Sequence, residues 1–326
     1  MKKITFTLLV FIGFCLSVSA QNNAQELLKQ SVIYYFNKSG QIVDVKDSAD
    51  YIRFMSPPDS TDLNLFVVRD FYLNGKPKLI GKSLIPNYYL KRQGMFIEYF
   101  PNGRRRRIEN YENNVQTGDV TSYYPNGKFY CTYNFDKDLK QNIMTTESDS
   151  AGTVLAENGN GTWIEYDDNF KFVKATGPIL NGKKDGWWHG APNDSLKYDC
   201  TYSKGISVSG TSYEKSGKEH HFTKDIVWPE YKGGMANFYS FIGHNVHYPK
   251  VAKENNIQGK VFVSFIVEKD GTLTRFNILQ GIGAGCDEEV LRVMKLSPQW
   301  SPEYKYGIAV AELVNLPVSF TLQNDN

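Results

Sequence analysis

Gly259-Lys260-Val261-Phe262-Val263-Ser264-Phe265-Ile266-Val267-Glu268-Lys269-Asp270-Gly271 is the stretch whose reading decides the fold. Residues 261, 263, 265 and 267 share one face of a strand, with Phe262 and Ile266 opposite, so both faces are partly covered. Lys269-Asp270-Gly271 turns the chain. Leu273, Phe276, Ile278 and Leu279 then populate a second strand with an irregularity near its middle.

Working outward, Trp228-Pro229-Glu230-Tyr231-Lys232-Gly233-Gly234 is extended, and Met235, Phe238, Phe241 and Ile242 space one face of a short helix over 235–243. Asn245-Val246-His247-Tyr248-Pro249 is extended, as proline demands of the residue before it, and 250–255 is a second short helical piece. On the other side, Asp287 lies near the start of a helix, where a carboxylate favours unsatisfied N–H groups. Glu289, Val290, Leu291, Val293, Met294 and Leu296 continue that helix, Pro298 stops it, Trp300 packs, and 310–322 forms a third strand. The order is helix, strand, strand, helix, strand. Three strands cannot close a barrel, so an edge stays open, and an open edge offers strand addition as a binding mode.

Upstream the chain repeats itself. Gly94-Met95-Phe96-Ile97-Glu98-Tyr99-Phe100-Pro101-Asn102-Gly103 is followed 24 residues on by Gly118-Asp119-Val120-Thr121-Ser122-Tyr123-Tyr124-Pro125-Asn126-Gly127. Gly161-Thr162-Trp163, Gly186-Trp187-Trp188 and Gly210-Thr211-Ser212 begin further units, and Phe71-Tyr72-Leu73-Asn74-Gly75-Lys76 is a weaker copy. A fixed period of this size implies stacked supersecondary units. Each unit reads as a strand, an Asn-Gly turn whose positive φ angles suit a tight hairpin, and a return strand. Aromatic residues at every second position line one face of a long antiparallel sheet. The stretch 136–158 departs from the period and reads as a degraded unit or a loop. Within 21–64, Ser31-Val32-Ile33-Tyr34-Tyr35-Phe36 before Lys38-Ser39-Gly40 reads as a divergent hairpin strand and turn.

Lys2, Lys3, the apolar run over 4–18 and Val18-Ser19-Ala20 before Gln21 read as a cleaved signal peptide over 1–20, because the run is shorter than the ~20 apolar residues of a spanning helix. Export to the periplasm follows; the alternative is an uncleaved anchor in the inner membrane. Without Lys2 and Lys3 the chain carries 35 basic and 35 acidic residues, which gives no case for nucleic-acid or anionic-membrane binding. Arg104-Arg105-Arg106-Arg107 follows an Asn-Gly turn on a return strand, where alternate side chains face opposite ways and Glu109 offsets the charge. Cys131, Cys200 and Cys286 fit no zinc spacing and read either as one disulfide plus a thiol or as three buried thiols. His220-His221 and His244/His247 lack the converging ligands a metal needs. No nucleophile motif and no phosphate loop stands in the chain, so neither an enzyme, nor a cofactor, nor a metal site is expected.

The C-terminal residues quoted above resemble the TonB C-terminal domain over about 228–323. The repeats over 65–222 resemble MORN-type units. The fold class is therefore mainly β: a repeat-built antiparallel hairpin sheet, then a C-terminal α+β domain with a three-stranded antiparallel sheet and short helices. The resemblance implies a protein partner, a TonB-dependent outer-membrane receptor peptide captured by strand addition, and a link to transmembrane transport. It also implies an inner-membrane motor complex as a partner if residues 4–18 anchor the chain. The last strand, with Val310, Glu312 and Val314, becomes the receiving edge, and Asn245, His247, Tyr248 and Pro249 become contacts beside it. A force transducer ordinarily has a long proline-rich spacer, and here folded repeats stand in its place. A third reading is an exported enzyme or carbohydrate-binding protein using the aromatic face of the repeats.

Overall fold

The computed structural model describes residues 31–136 and 141–322. The expected signal peptide, and the 21–30 part of the segment after it, lie outside the described residues. The chain forms two compact units, one ending at Gly186 and one spanning Trp187–Asn326.

In the first unit, strands pair antiparallel with their neighbours in sequence. Val32–Phe36 pairs with Tyr51–Ser56, then come Phe66–Tyr72, Pro77–Ser83, Arg92–Tyr99, Arg105–Glu112, Val115–Tyr123 and Phe129–Asp136. Gln141–Ser148, Val154–Glu157, Asn160–Tyr166 and Val173–Leu180 continue the meander. Over its described residues from 141 on, the stretch expected as a degraded unit or a loop thus contributes two strands to the meander. Its sequence hides this because Ser150-Ala151 stand where the other loops have Pro-Asn, and Asp149 just before them accepts the N–H groups of Ala151 and Thr153 at 2.8 Å each.

The turns are of two kinds. At one kind, Asn113-Asn114, Asn158-Gly159 and Asn181-Gly182 each take positive φ at both positions, the tight two-residue hairpin that the sequence predicts. At Pro101-Asn102-Gly103 and its copies, only the glycine is left-handed. There Gly103 N–H donates to Phe100 O (2.8 Å) and Phe100 N–H to Arg104 O (2.8 Å), so the loop is wider than expected. The asparagine works through its amide instead: Asn102 Oδ1 accepts the Arg104 N–H, and Nδ2 donates to Pro125 O at 2.8 Å in the next loop. Asn74 and Asn126 do the same, donating to Pro101 O and Ser150 O at 3.0 Å each. The repeat period therefore comes with a ladder of amides that pins each loop to the following one.

The recurrent apolar positions are buried: Phe96 and Val120 fully, with Phe100, Tyr124 and Trp163 close behind. Gly81 makes room for Phe96, since a Cβ there would stand 2.4 Å from the ring. Three of the four arginines in the run are engaged within the repeats, and Arg105 is exposed. Arg107 pairs with Glu98 and Glu109 (3.0 and 3.1 Å), Arg106 reaches Asp168 (3.1 Å), and Arg104 donates to Asn126 O.

In the second unit, Leu196–Ser203, Ile206–Glu214 and Glu219–Phe222 form a further meander. The C-terminal module follows as α1 (Gly234–Asn245), α2 (Lys250–Glu254), β1 (Gly259–Val267), β2 (Leu273–Gln280), α3 (Cys286–Met294) and β3 (Glu312–Phe320). Its sheet runs β2-β1-β3, all antiparallel. Val261, Val263, Phe265 and Val267 are fully buried against Phe238, Val290, Val293, Met294 and Trp300, as the alternation predicts. The turn before β2 is tight because Gly271 lies against the Trp300 carbonyl, where any Cβ would overlap. The single strand expected over 310–322 is two. Ile308–Val310 pairs with Glu303–Lys305, which in turn pairs with Ile226–Val227, and the chain reaches β3 only after Ala311. Tyr306-Gly307, both at positive φ, make the turn of the hairpin to which Ile308–Val310 belongs.

Candidate functional site

β3 is a nine-residue strand whose register against β1 runs from Gly259↔Phe320 to Val267↔Glu312 without a shift. It is outermost in the sheet. The opposite edge, β2, is interrupted by two register shifts and by Arg275 at φ 52°. Bulges of that kind blunt an edge against pairing; β3 has none.

The direction of its donors follows from Pro317. A proline inside a strand turns its nitrogen away from the ladder, to the solvent side of an edge. Alternation then sends the N–H groups of Leu313, Asn315 and Ser319 the same way. Leu322 N–H, of the opposite parity, points back to Gln258 Oε1 at 2.9 Å. The side chains divide across the sheet: Val318 and Phe320 are buried and Val314 and Leu316 pack on the core, while Leu313 is 56% exposed on the far face.

An ionic cluster marks the start of β3. Lys305 Nζ lies 3.4 Å from Glu312 Oε2 and 3.3 Å from Glu303 Oε1. Glu303 is fully buried. Burial, and then the adjacent Glu312 carboxyl, push its pKa up.

The Asn245-to-Pro249 segment meets the other end of the strand. The Tyr248 ring stands edge-on to Phe320 at 5.4 Å, and its hydroxyl donates to Ile257 O at 2.6 Å. Pro249 packs over Gly285, and Asn245 Nδ2 donates to Phe241 O at 2.8 Å. Glu289 and Arg292 of α3 hold the backbone: Glu289 Oε1 accepts His247 N–H (2.7 Å), and Arg292 Nη2 donates to Asn245 O (2.7 Å) and meets His247 Nδ1 at 3.1 Å. Arg292, then the His247 N–H, hold the Glu289 carboxyl down at about 2.

Of the residues singled out from sequence, Glu312 and Val314 therefore lie on the outermost strand, and Tyr248 lies beside it. Val310 belongs to the small separate sheet. The amide of Asn245 and the hydroxyl of Tyr248 are engaged within the module, while the His247 side chain is largely exposed. Sequence reasoning missed the Glu289–Arg292 clamp, whose i,i+3 spacing on a helix was the available signal, and the Glu303–Lys305–Glu312 cluster, which needs the unforeseen hairpin. Cys131, Cys200 and Cys286 are buried thiols, none in a disulfide. At Cys286 burial raises the pKa and so disfavours a reactive thiolate. Among the described residues no group of three or more His, Cys, Asp or Glu side chains could hold a metal ion, and no helix is long and apolar enough to cross a membrane.

Residues 244–322 match the family described as Gram-negative bacterial TonB protein C-terminal. This segment is similar to the TonB C-terminal domain. The match covers the module from the end of α1 through β3, about a quarter of the chain, and none of the repeat strands. Among solved structures, the NMR solution structure of Helicobacter pylori TonB-CTD is 21% identical, covering 28% of this chain and 96% of that one, with a TM-score of 0.22. No curated protein matches the chain.

Proposed function

We propose that this chain is an exported periplasmic protein-binding protein whose TonB-like module captures an extended segment of a TonB-dependent outer-membrane receptor by strand addition along β3. One observation carries the reading: β3 is a regular, unbulged edge with the donors of Leu313, Asn315 and Ser319 directed outward, while the other edge is broken. A partner strand pairing there gains main-chain hydrogen bonds along the outward groups and reads side chains on alternate positions. Exposed Leu313 supplies an apolar contact on one face, and Glu312 with Lys305 supplies a polar register mark at the start of the strand.

The MORN-like repeats act as a folded spacer or second recognition surface in place of a proline-rich one. Binding to the receptor is thus the module's task, with the transport link resting on that receptor.

A photo-crosslinking side chain at Leu313 in the full-length protein, activated in living cells, tests this. Cross-linked peptides from the periplasmic segment of an outer-membrane receptor are expected. Cross-links confined to other envelope proteins would remove the receptor from the proposal.

A further inference from the structure

Many of the recurrent aromatics of the repeats are spent in the core: Trp188 is fully buried and Tyr198 is 2% exposed. Trp187 is the most exposed of the tryptophans and tyrosines that begin the repeat units. It faces the other way, is 56% exposed, and its ring lies 5.1 Å from His189 with the planes 34° apart. Beside it is an open groove of about 630 Å³, walled by Trp187, Asp199, Thr201, Ser209, Thr211 and His221.

The sheet register explains how these side chains come together. Asp199, Thr211 and His221 stand opposite one another across three strands, and Thr201 stands opposite Ser209. Since side chains alternate, both rows emerge on the face away from buried Tyr198, Cys200 and Phe222. Thr211 Oγ1 and His221 Nδ1 are 3.0 Å apart. Among the described residues no side chain hydrogen-bonds the Asp199 carboxylate or the Thr201 and Ser209 hydroxyls.

We infer that this groove is a binding site for a neutral oligosaccharide. A pyranose ring has an apolar C–H face that lies flat on an exposed indole, and a rim of hydroxyls that a carboxylate, hydroxyls and an imidazole can satisfy. Donation of a sugar hydroxyl to Asp199 is charge-assisted and strong. The chemistry argues against the other occupants. A nucleic acid or anionic glycan would meet Asp199 with no lysine or arginine in the wall. An added peptide strand would find no unpaired backbone, because Ile206–Glu214 is paired on both sides. The site is independent of the β3 edge and does not rest on the receptor reading.

The experiment is titration calorimetry of the full-length protein without its leader, paired with saturation-transfer NMR. The probes are the tetramers of β-1,4-glucose, β-1,4-N-acetylglucosamine and α-1,4-glucose, with an α-1,4-galacturonate tetramer as the anionic comparison. At least one neutral tetramer is expected to bind with a dissociation constant of about 0.1–1 mM, its ring C–H protons receiving saturation. Trp187→Ala and Asp199→Asn should each weaken it about tenfold or more, and Trp228→Ala, an exposed tryptophan outside the groove, should leave it unchanged. Both groove variants remove exposed or half-exposed side chains, and their melting curves are measured alongside to confirm folding. The inference is overturned if no neutral tetramer binds below about 10 mM, if binding survives Trp187→Ala, or if the uronate binds more tightly than the neutral sugars.

Discussion

The ring of Tyr306 lies face to face with that of Tyr198, 4.1 Å between centroids and 15° between planes. Tyr306 sits at the tip of the Glu303–Val310 hairpin of the C-terminal module, and Tyr198 in the meander of the last repeats. Around the stack, Ser212 Oγ donates to Tyr306 O (2.7 Å), Tyr306 N–H donates to Asp225 O (2.7 Å), and Phe222 meets the ring edge-on at 5.8 Å. The last repeats and the module are therefore plugged together within one unit. The same hairpin carries Glu303 and Lys305 to the start of β3.

Tyr306→Ala should remove this plug. Lost ring burial and stacking amount to about 2–4 kcal/mol, so urea unfolding is expected to shift to a lower midpoint, and the 223–230 segment, whose strand Ile226–Val227 pairs with this hairpin, should be cut faster by protease. Tyr306→Phe keeps the ring and should stay within about 1 kcal/mol of the native protein. Equal effects of the two substitutions would show that the ring is not what joins the parts.

Glu289 gives a pH dependence with a defined sign. Its folded pKa of about 2 lies below the ordinary 4.5, so its contribution is full above pH 4.5 and is lost as pH falls through 2. Screened by solvent on the side of the half-exposed Arg292, the Glu289 contribution is about 0.5–1 kcal/mol. Glu289→Gln should cost that amount at pH 6, with the gap to the native protein closing as pH falls from 4.5 towards 2. Exchange of the His247 amide, which the carboxylate holds, should accelerate in the variant.

Glu147 has the opposite sign. It is fully buried, its oxygens accept the Ile164 N–H at 2.9 and 3.0 Å, and burial pushes its pKa up to about 8. The folded form holds the proton more tightly, so the stability is present below pH 4.5 and lost as pH rises through 8. The native protein should lose about 2–4 kcal/mol between pH 6 and pH 9, and Glu147→Gln, neutral throughout, should flatten that slope. A denaturant series at the two pH values reads the difference.

The loop ladder separates two roles of one side chain. Asn102→Ala removes both the bond within its loop and the bond to Pro125 O, and should cost about 1–2 kcal/mol. Asn102→Asp keeps the acceptor and loses the donor, so its thermal unfolding should fall between those of the native protein and the alanine variant. An aspartate variant as unstable as the alanine one would mean that the inter-loop bond carries the whole effect.

How much of this was legible beforehand depends on the range of the determining contact. β1 announced itself because Val261, Val263, Phe265 and Val267 alternate locally. The repeat period was visible because each unit carries its own glycine. The two turn types were not, since Asn102 and Asn181 precede glycine alike and differ only in what their surroundings satisfy. The unit at 141–157 was obscured by a carboxylate doing an asparagine's work. The break at Ala311 was hidden because Ile308–Val310 belongs to a hairpin turned at Tyr306-Gly307, which reads as a turn only once Glu303–Lys305 is recognised as a strand. At the candidate site, an open edge was legible from the strand count, and its placement on the last strand came from the family resemblance. The fate of Asn245 and Tyr248 was not, because their partners Phe241 O and Ile257 O are backbone carbonyls, which leave no mark in side-chain composition.

Parity along β3 yields the sharpest test of the edge. If the Asn315 N–H faces outward, Asn315→Pro removes a donor that only a partner strand would use, and leaves the pairing with β1 intact. The melting midpoint should move little, because natural Pro317 already occupies the same parity. Val314 N–H faces β1, so Val314→Pro breaks the ladder and should cost about 3 kcal/mol or more. Cross-linking from Leu313 to its partner should therefore fall about tenfold in folded Asn315→Pro protein, with hydrogen exchange in β1 unchanged. Undiminished cross-linking in that variant would mean that partners reach this face through side chains, and strand addition along β3 would be wrong.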